Sequence, residues 1–186
     1  MKKIVIVFAF LLTISFQVKA QWFWQNPLPQ GNDLSSVSFA NTITGWAAGL
    51  RGTILKTVDE GQNWISQASG TTYSLLGISF TDVSNGTVVG DFGIILKTSD
   101  GGQNWINQVS GTTQRLYDVS FADANNGSAV GDHGTILKTT DGGTNWFSQF
   151  SGVIRLLTSV NLTDVNYAAV VGQSGTILRT GNGGIT

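Results

Sequence analysis

The sequence predicts an all-β fold, a β-propeller built of four-stranded antiparallel blades, and three observations carry that prediction. A 41-residue period runs through the chain without gaps: Leu34, Leu75, Leu116 and Leu157 recur, as do Gly49, Gly90, Gly131 and Gly172. Each period divides into four short runs of β-branched and aromatic residues separated by turn residues. Beyond the first twenty residues no segment sustains a helical spacing of apolar side chains, which disfavours helical repeats of similar period.

Residues 1–20 have the make-up of a secretory signal. Lys2 and Lys3 form a basic start, Ile4 to Phe16 is apolar, and Val18-Lys19-Ala20 resembles a cleavage site. The apolar run is too short to span a bilayer comfortably. The expectation is a mature chain from Gln21, secreted, periplasmic or on the cell surface, with no membrane span after cleavage. Residues 21–186 form the propeller domain, in units of about 34–74, 75–115, 116–156 and an incomplete 157–186.

The second unit shows the strands most clearly: LLGISF (75–80), TVVG (87–90), IILKT (94–98) and WINQV (105–109). Asn85-Gly86 and Asn126-Gly127, between the first two strands, predict a tight primed turn with two positive φ angles. The paired glycines of GDFG and GDHG close the next hairpin. Third strands are apolar at adjacent positions (ILKT at 54–57, 95–98 and 136–139, ILRT at 177–180), as expected when neighbouring blades cover both faces. Lys56, Lys97, Lys138 and Arg179 recur there; their stems are expected on apolar surface with the charges in water.

Composition narrows the functions. Charged residues make up only 11% and there is no cysteine. An exported protein without disulfides rests on its core. Setting aside Lys2, Lys3 and Lys19 leaves seven basic side chains against eleven acidic ones, which argues against nucleic acid as partner. Glu60 is the single glutamate and His133 the single histidine. A lone histidine without cysteine does not make a metal site, and no metal or cofactor is expected.

Between strands three and four lies Thr-x-Asp-x-Gly-x-x-Trp, carried by Thr57, Asp59, Gly61 and Trp64, by Thr98, Asp100, Gly102 and Trp105, and by Thr139, Asp141, Gly143 and Trp146. Every element has a structural reason. The Asp accepts backbone N–H groups, the Gly supplies a positive φ, and the Trp fixes the outer strand. A catalytic acid would be expected once, not in every unit. The EF-hand spacing is also absent.

This pattern resembles the Asp-box, or BNR repeat, of sialidases, sortilin-type receptors and several glycosidases. The longer string GDxGxILKTxDGGxNW is similar to the repeat of photosystem II assembly/stability factors and their exported bacterial relatives. The resemblance runs from about residue 22 to the end. It departs from the pattern at Glu60, where Gly is usual, and at Asn182, which replaces Asp in a fourth copy without Trp. It implies a seven-bladed, non-catalytic propeller that holds a protein partner, with the box as a fold element away from the ligand face. Asp82, Asp91, Asp118, Asp123, Asp132 and Asp164 lie outside the boxes and keep a sialidase-like or other glycoside hydrolase as the alternative. A structural module of a longer adhesin is a third reading.

Hairpin alternation sorts the connections onto two faces. Turns between strands one and two share a face with the boxes. Tips between strands two and three share the other with the links between blades. The first is monotonous; the second varies from unit to unit, and variation on a fixed scaffold is where recognition is placed. Arg51, Tyr73, Asp91, Phe92, Arg115, Asp132 and His133 are therefore the candidate binding residues, for a protein, a glycan or a surface polymer. Trp22 or Trp24 with the following QNPLPQGNDL resembles the tail of a unit, which would permit a closed four-bladed ring. TGNGGIT (180–186) stops inside a motif, and the expectation is part of a larger ring of about seven blades.

Overall fold

A computed structural model describes residues 31–184. The signal segment and Trp22–Gln30 lie outside the described residues.

Four antiparallel sheets follow one another, each with its strands in sequence order. The first holds β1 (Leu34–Phe39), β2 (Gly45–Gly49), β3 (Ile54–Thr57) and β4 (Ile65–Gln67). The second holds β5 (Leu75–Phe80), β6 (Gly86–Gly90), β7 (Ile95–Thr98) and β8 (Ile106–Gln108). The third holds β9 (Leu116–Phe121), β10 (Gly127–Gly131), β11 (Ile136–Thr139) and β12 (Phe147–Gln149). In the fourth, β13 (Leu157–Leu162), β14 (Ala168–Gly172) and β15 (Ile177–Thr180) are the strands among the described residues. The register repeats: Val88 faces Leu96 as Ala47 faces Leu55 and Ala129 faces Leu137. These are the propeller blades the period predicts.

The core lies between blades. Trp46, Ala48 and Ile54 of the first blade meet Leu75, Ile78, Phe80, Val88 and Leu96 of the second. Val89 and Ile95 meet Leu116, Val119, Ala129 and Leu137 of the third, and Val130 meets Leu157, Val160 and Val170 of the fourth. β2 and β6 are buried along their whole length, which is why their sequences do not alternate. First strands lie side by side along the arc, β1 on β5, β5 on β9 and β9 on β13. Side chains stitch them: Ser36 and Ser38 accept from the Ile78 and Phe80 N–H groups at 3.3 and 3.0 Å. Asp118 accepts from Val160 N–H at 2.9 Å and from the Ser159 hydroxyl at 2.7 Å.

Among the described residues the ends of the arc are open. Leu34, Val37 and Phe39 of the first blade and Val171 and Ile177 of the fourth are exposed, although the matching positions of inner blades are core. Residues 31–184 therefore form an open arc of blades; the closed-ring reading turns on Trp22 or Trp24, which lie outside the described residues.

Two local expectations change. Asn85-Gly86 and Asn126-Gly127 do not make the primed turn, since none of the four has a positive φ. Asp82 turns the chain instead, accepting the Ser84 and Asn85 N–H groups at 2.7 and 2.9 Å. Gly86 and Gly127 are small because an aromatic ring lies on them: a Cβ would come within 2.4 Å of Phe80 at the first and 2.7 Å of Phe121 at the second. The primed geometry occurs one hairpin later. Phe92 (φ 55°, ψ 28°) and Gly93 (φ 70°) are both left-handed, and Ile94 N–H closes the turn on Asp91 O at 3.1 Å.

The lysines of the third strands also differ from expectation. Their charges end on the next blade's box. Lys56 donates to Gly101 O at 2.8 Å, Lys97 to Thr144 Oγ1 at 2.9 Å and Lys138 to Gly183 O at 2.5 Å. The ammonium groups thus link blades.

Candidate binding face and the box turns

The box is a closed hydrogen-bond unit. Thr98 Oγ1 donates to Asp100 Oδ1 at 2.8 Å and accepts the Gly102 N–H at 2.9 Å. Asp100 Oδ1 accepts the Asn104 N–H at 2.9 Å, and Oδ2 accepts the Asn104 side-chain amide at 2.7 Å. Asp59 with Asn63 and Asp141 with Asn145 repeat this geometry. The asparagines escaped the sequence reading; their recurrence one residue before each Trp was the available signal. Each Trp sets its ring edge against the first-strand Phe of its own blade: Phe39–Trp64, Phe80–Trp105 and Phe121–Trp146, with centroids 6.0–6.1 Å apart.

These bonds engage both oxygens of each box carboxylate. The Asn104 backbone N–H, then its side chain, then Thr98 hold Asp100 down to about 2, and Asn145 does the same for Asp141. Asp59 is lowered by Asn63 in the same way. A depressed folded-state pKa stabilises above the unfolded value near 3.9 and is lost as pH falls toward the folded one. The melting temperature is therefore expected to drop as pH is lowered from about 4 to about 2. Asp100→Asn should make that drop shallower, and thermal melts across the window check it. Blade four already carries the neutral form, with Thr180 Oγ1 on Asn182 Oδ1 at 2.9 Å.

Turns and boxes share one face, as Gly101 N–H on Ser84 O (2.8 Å) and Gly142 N–H on Asn125 O (2.9 Å) show. Tips and links share the other. Asp91 N–H bonds Ser74 O at 3.0 Å, Asp132 N–H bonds Arg115 O at 2.9 Å, and Gln173 N–H bonds Leu156 O at 2.9 Å. Every tip carries a left-handed residue that differs in chemistry: Arg51, Phe92, His133 and Ser174, with φ of 54–56°. Left-handed geometry in a side chain of this size costs roughly 1–2 kcal/mol.

Four of the seven candidate residues come together. Tyr73, on the link from the first blade, packs on Phe92 with centroids 5.0 Å apart and planes tilted by 51°. Phe92 is 67% exposed. Beside it Asp91 pairs with Arg115 at 2.6 Å. Arg115 also reaches Tyr117 Oη at 3.4 Å, and Tyr117 first and Asp91 second raise its pKa. Because the Arg115 carbonyl holds the third blade's tip while its side chain pairs with the second's, this residue ties two tips together. Tyr73 and Phe92 border an open groove floored by residues 107–113. Arg51 stands at the first tip, and Asp132 and His133 at the third; among the described residues no side-chain hydrogen bond or ion pair joins them to the cluster.

Four of the aspartates outside the boxes have structural partners. Asp82, Asp123 and Asp164 accept the N–H groups of their own turns, and Asp118 stitches blades three and four. Among the described residues no group of three or more His, Cys, Asp or Glu is placed to hold a metal ion.

A family model described as "Photosynthesis system II assembly factor YCF48" matches residues 15–110 and 106–186. No curated protein matches the chain significantly. Among solved structures, "YCF48 bound to D1 peptide" is similar at 22% identity and a TM-score of 0.65, over 82% of this chain and 54% of that one. YCF48 from Cyanidioschyzon merolae gives 23%, 0.64, 82% and 57%. An ancestral GH74 enzyme gives 18% identity and a TM-score of 0.68, over 89% of this chain and 25% of that one. The chain thus spans just over half the length of the YCF48 structures it matches.

Proposed function

The chain belongs to the photosynthesis system II assembly factor YCF48 family, and from that we propose that it is a non-catalytic propeller that binds an extended segment of a partner protein on its face of tips and links. The observation that carries the reading is the Tyr73–Phe92 pair beside Asp91–Arg115, an exposed aromatic platform next to a fixed charge pair. Aromatic and arginine side chains dominate the binding energy of protein interfaces. The YCF48 structure with a D1 peptide supports a peptide as the kind of ligand. Export to the periplasm or cell surface is part of the proposal and rests on residues 1–20; fractionation of cells making the tagged chain tests it.

Phe92→Gly separates recognition from folding. The glycine relieves roughly 1–2 kcal/mol of left-handed strain and gives up roughly 0.5–1.5 kcal/mol of aromatic contact with Tyr73. Stability is therefore expected to stay within about 1 kcal/mol of the parent, while peptide capture falls at least about tenfold, as for an interface anchor. An array of unstructured peptides with the D1 peptide among them provides the probe. Capture that survives both Phe92→Gly and Tyr73→Ala would place binding elsewhere. Turnover of aryl glycosides or sialosides, abolished by a single Asp→Asn change outside the boxes, would replace this reading with a hydrolase.

A further inference from the structure

The junction between the second and third blades holds a slot that the first junction fills with a ring of its own. At the first junction the Trp46 indole lies flat on Phe80, with centroids 3.5 Å apart and planes 5° apart. Its N–H donates to Gly101 O at 3.1 Å, and the Lys56 ammonium stands 5.2 Å from the ring centroid. An aromatic face, a carbonyl and a cation thus grip one indole from three sides. Stacking, a hydrogen bond and a cation–π contact all favour that ring over an aliphatic side chain.

Forty-one residues on, the grip returns without the ring. Phe121 takes the place of Phe80, Gly142 that of Gly101 and Lys97 that of Lys56, but Thr87 stands where Trp46 would be. Phe121 meets its box tryptophan, Trp146, edge-on at 6.1 Å and 84°, as Phe80 meets Trp105 at 6.0 Å and 88°. The phenylalanine is thus set in the same way against its own blade. Among the described residues no second ring stacks on Phe121. The third junction has neither half of the stack, with Ser128 and Leu162 at these positions.

The space so left is a cleft. Thr87, Lys97, Phe121 and Gly142 line it, together with Asn85 and Ala124 of the turns, and its volume, open mouth included, is about 290 Å³. Phe80 is 8% exposed under its indole, whereas Phe121 is half-buried. Gly101 is buried and its carbonyl accepts twice, from Trp46 and Lys56. Gly142 is half-buried, and its carbonyl accepts no hydrogen bond among the described residues. Thr87 is only 2% exposed, yet its hydroxyl also has no hydrogen-bond partner among them. Lys97 turns to Thr144 Oγ1 at 2.9 Å instead of to the carbonyl.

We propose that this cleft takes a tryptophan side chain of a partner protein, stacked on Phe121 with its N–H on Gly142 O and Lys97 at its face. The site lies on the face of turns and boxes, opposite the tips and links, and is independent of the peptide proposed there. Ala124 is exposed on that face, so the ring enters from that side. Such a grip holds a free ring of indole size only weakly, with a dissociation constant on the order of 1 mM. That is little for a small molecule held alone. It is ample for one anchor of a larger contact, where a seated tryptophan is among the residues that decide binding.

N-acetyltryptophanamide and indole are the probes, titrated into the full chain and followed by amide chemical shifts. Both are expected to saturate with dissociation constants on the order of 1 mM, shifting the amides around Gly142 and Thr87 and leaving Phe92 at the tips unmoved. Benzofuran, flat and of the same size but without the donor, should bind about fivefold more weakly than indole. Thr87→Trp supplies the ring from within, as Trp46 does, and should raise the melting temperature and weaken both probes at least about tenfold. Lys97→Met leaves the slot open and should weaken them about 2–5-fold, which keeps a test in hand if Thr87→Trp does not fold. No saturable shift around Gly142, benzofuran binding as well as indole, or a folded Thr87→Trp chain that still binds the probes would overturn the proposal. Indole held in the micromolar range, with N-acetyltryptophanamide excluded, would overturn the side chain as occupant and make the cleft a small-molecule site.

Discussion

Trp46→Ala is expected to lower the unfolding free energy by about 3–5 kcal/mol, the range for truncating a fully buried large aromatic. Trp46 has 0% exposure and lies at the junction of the first and second blades. Its ring stacks on Phe80 at 3.5 Å with planes 5° apart, and the Lys56 ammonium sits 5.2 Å from its centroid. Phe80 in turn meets the edge of Trp105. The indole N–H donates to Gly101 O at 3.1 Å, the same carbonyl that accepts from Lys56. Truncation would leave a cavity between two blades and remove one of the two donors on that carbonyl. The other junctions use Thr87 and Ser128 at the matching position, so the effect should be local to this junction. Denaturant melts give the loss in stability. Hydrogen exchange should show the first blade opening ahead of the third. A loss below about 1 kcal/mol would mean that the blades hold together without the stack.

Neither the role of Trp46 nor the placement of the primed turn was legible in the sequence. The reasons are physical. The 41-residue period shows what all units share, and Trp46 has no counterpart in the others. Asn-Gly is a local signal for positive φ, but Gly86 and Gly127 answer a non-local demand, the ring that lies on them. At the tips the left-handed residue is Arg, Phe, His or Ser, so composition gives no hint of the geometry, while the invariant Gly that follows does. The strands, the separation of boxes from tips and the structural role of Asp100 were all readable, since each depends on spacing and turn chemistry that recur. The grouping of Tyr73, Asp91, Phe92 and Arg115 was readable only as a shared face. That Arg115 joins two blades through its carbonyl and its guanidinium depends on how the blades stack, which no local sequence pattern encodes.

The repeat also supplies an internal control for packing, and the second large effect follows from it. Gly127→Ala should cost roughly 1–3 kcal/mol, the usual range for overpacking a filled site. The backbone at Gly127 has no positive φ, so strain from handedness is not the cause. The added methyl would meet the Phe121 ring at 2.7–2.9 Å. That ring cannot slide away freely, because Trp146 stands edge-on against it at 6.1 Å. The fourth blade resolves the same conflict by changing both partners. Ala168 takes the glycine position, and Leu162 takes the phenylalanine position facing it. Moving that pair into the third blade, as Phe121→Leu with Gly127→Ala, should therefore recover much of the loss. Phe121→Leu alone should also destabilise, because it opens space beside Gly127 and removes the contact with Trp146. The double-mutant cycle is expected to show a favourable coupling of about 0.5–3 kcal/mol, as for residues in direct contact. Additive losses would mean that the ring and the glycine are independent, and that blade four differs from the others for some reason other than packing.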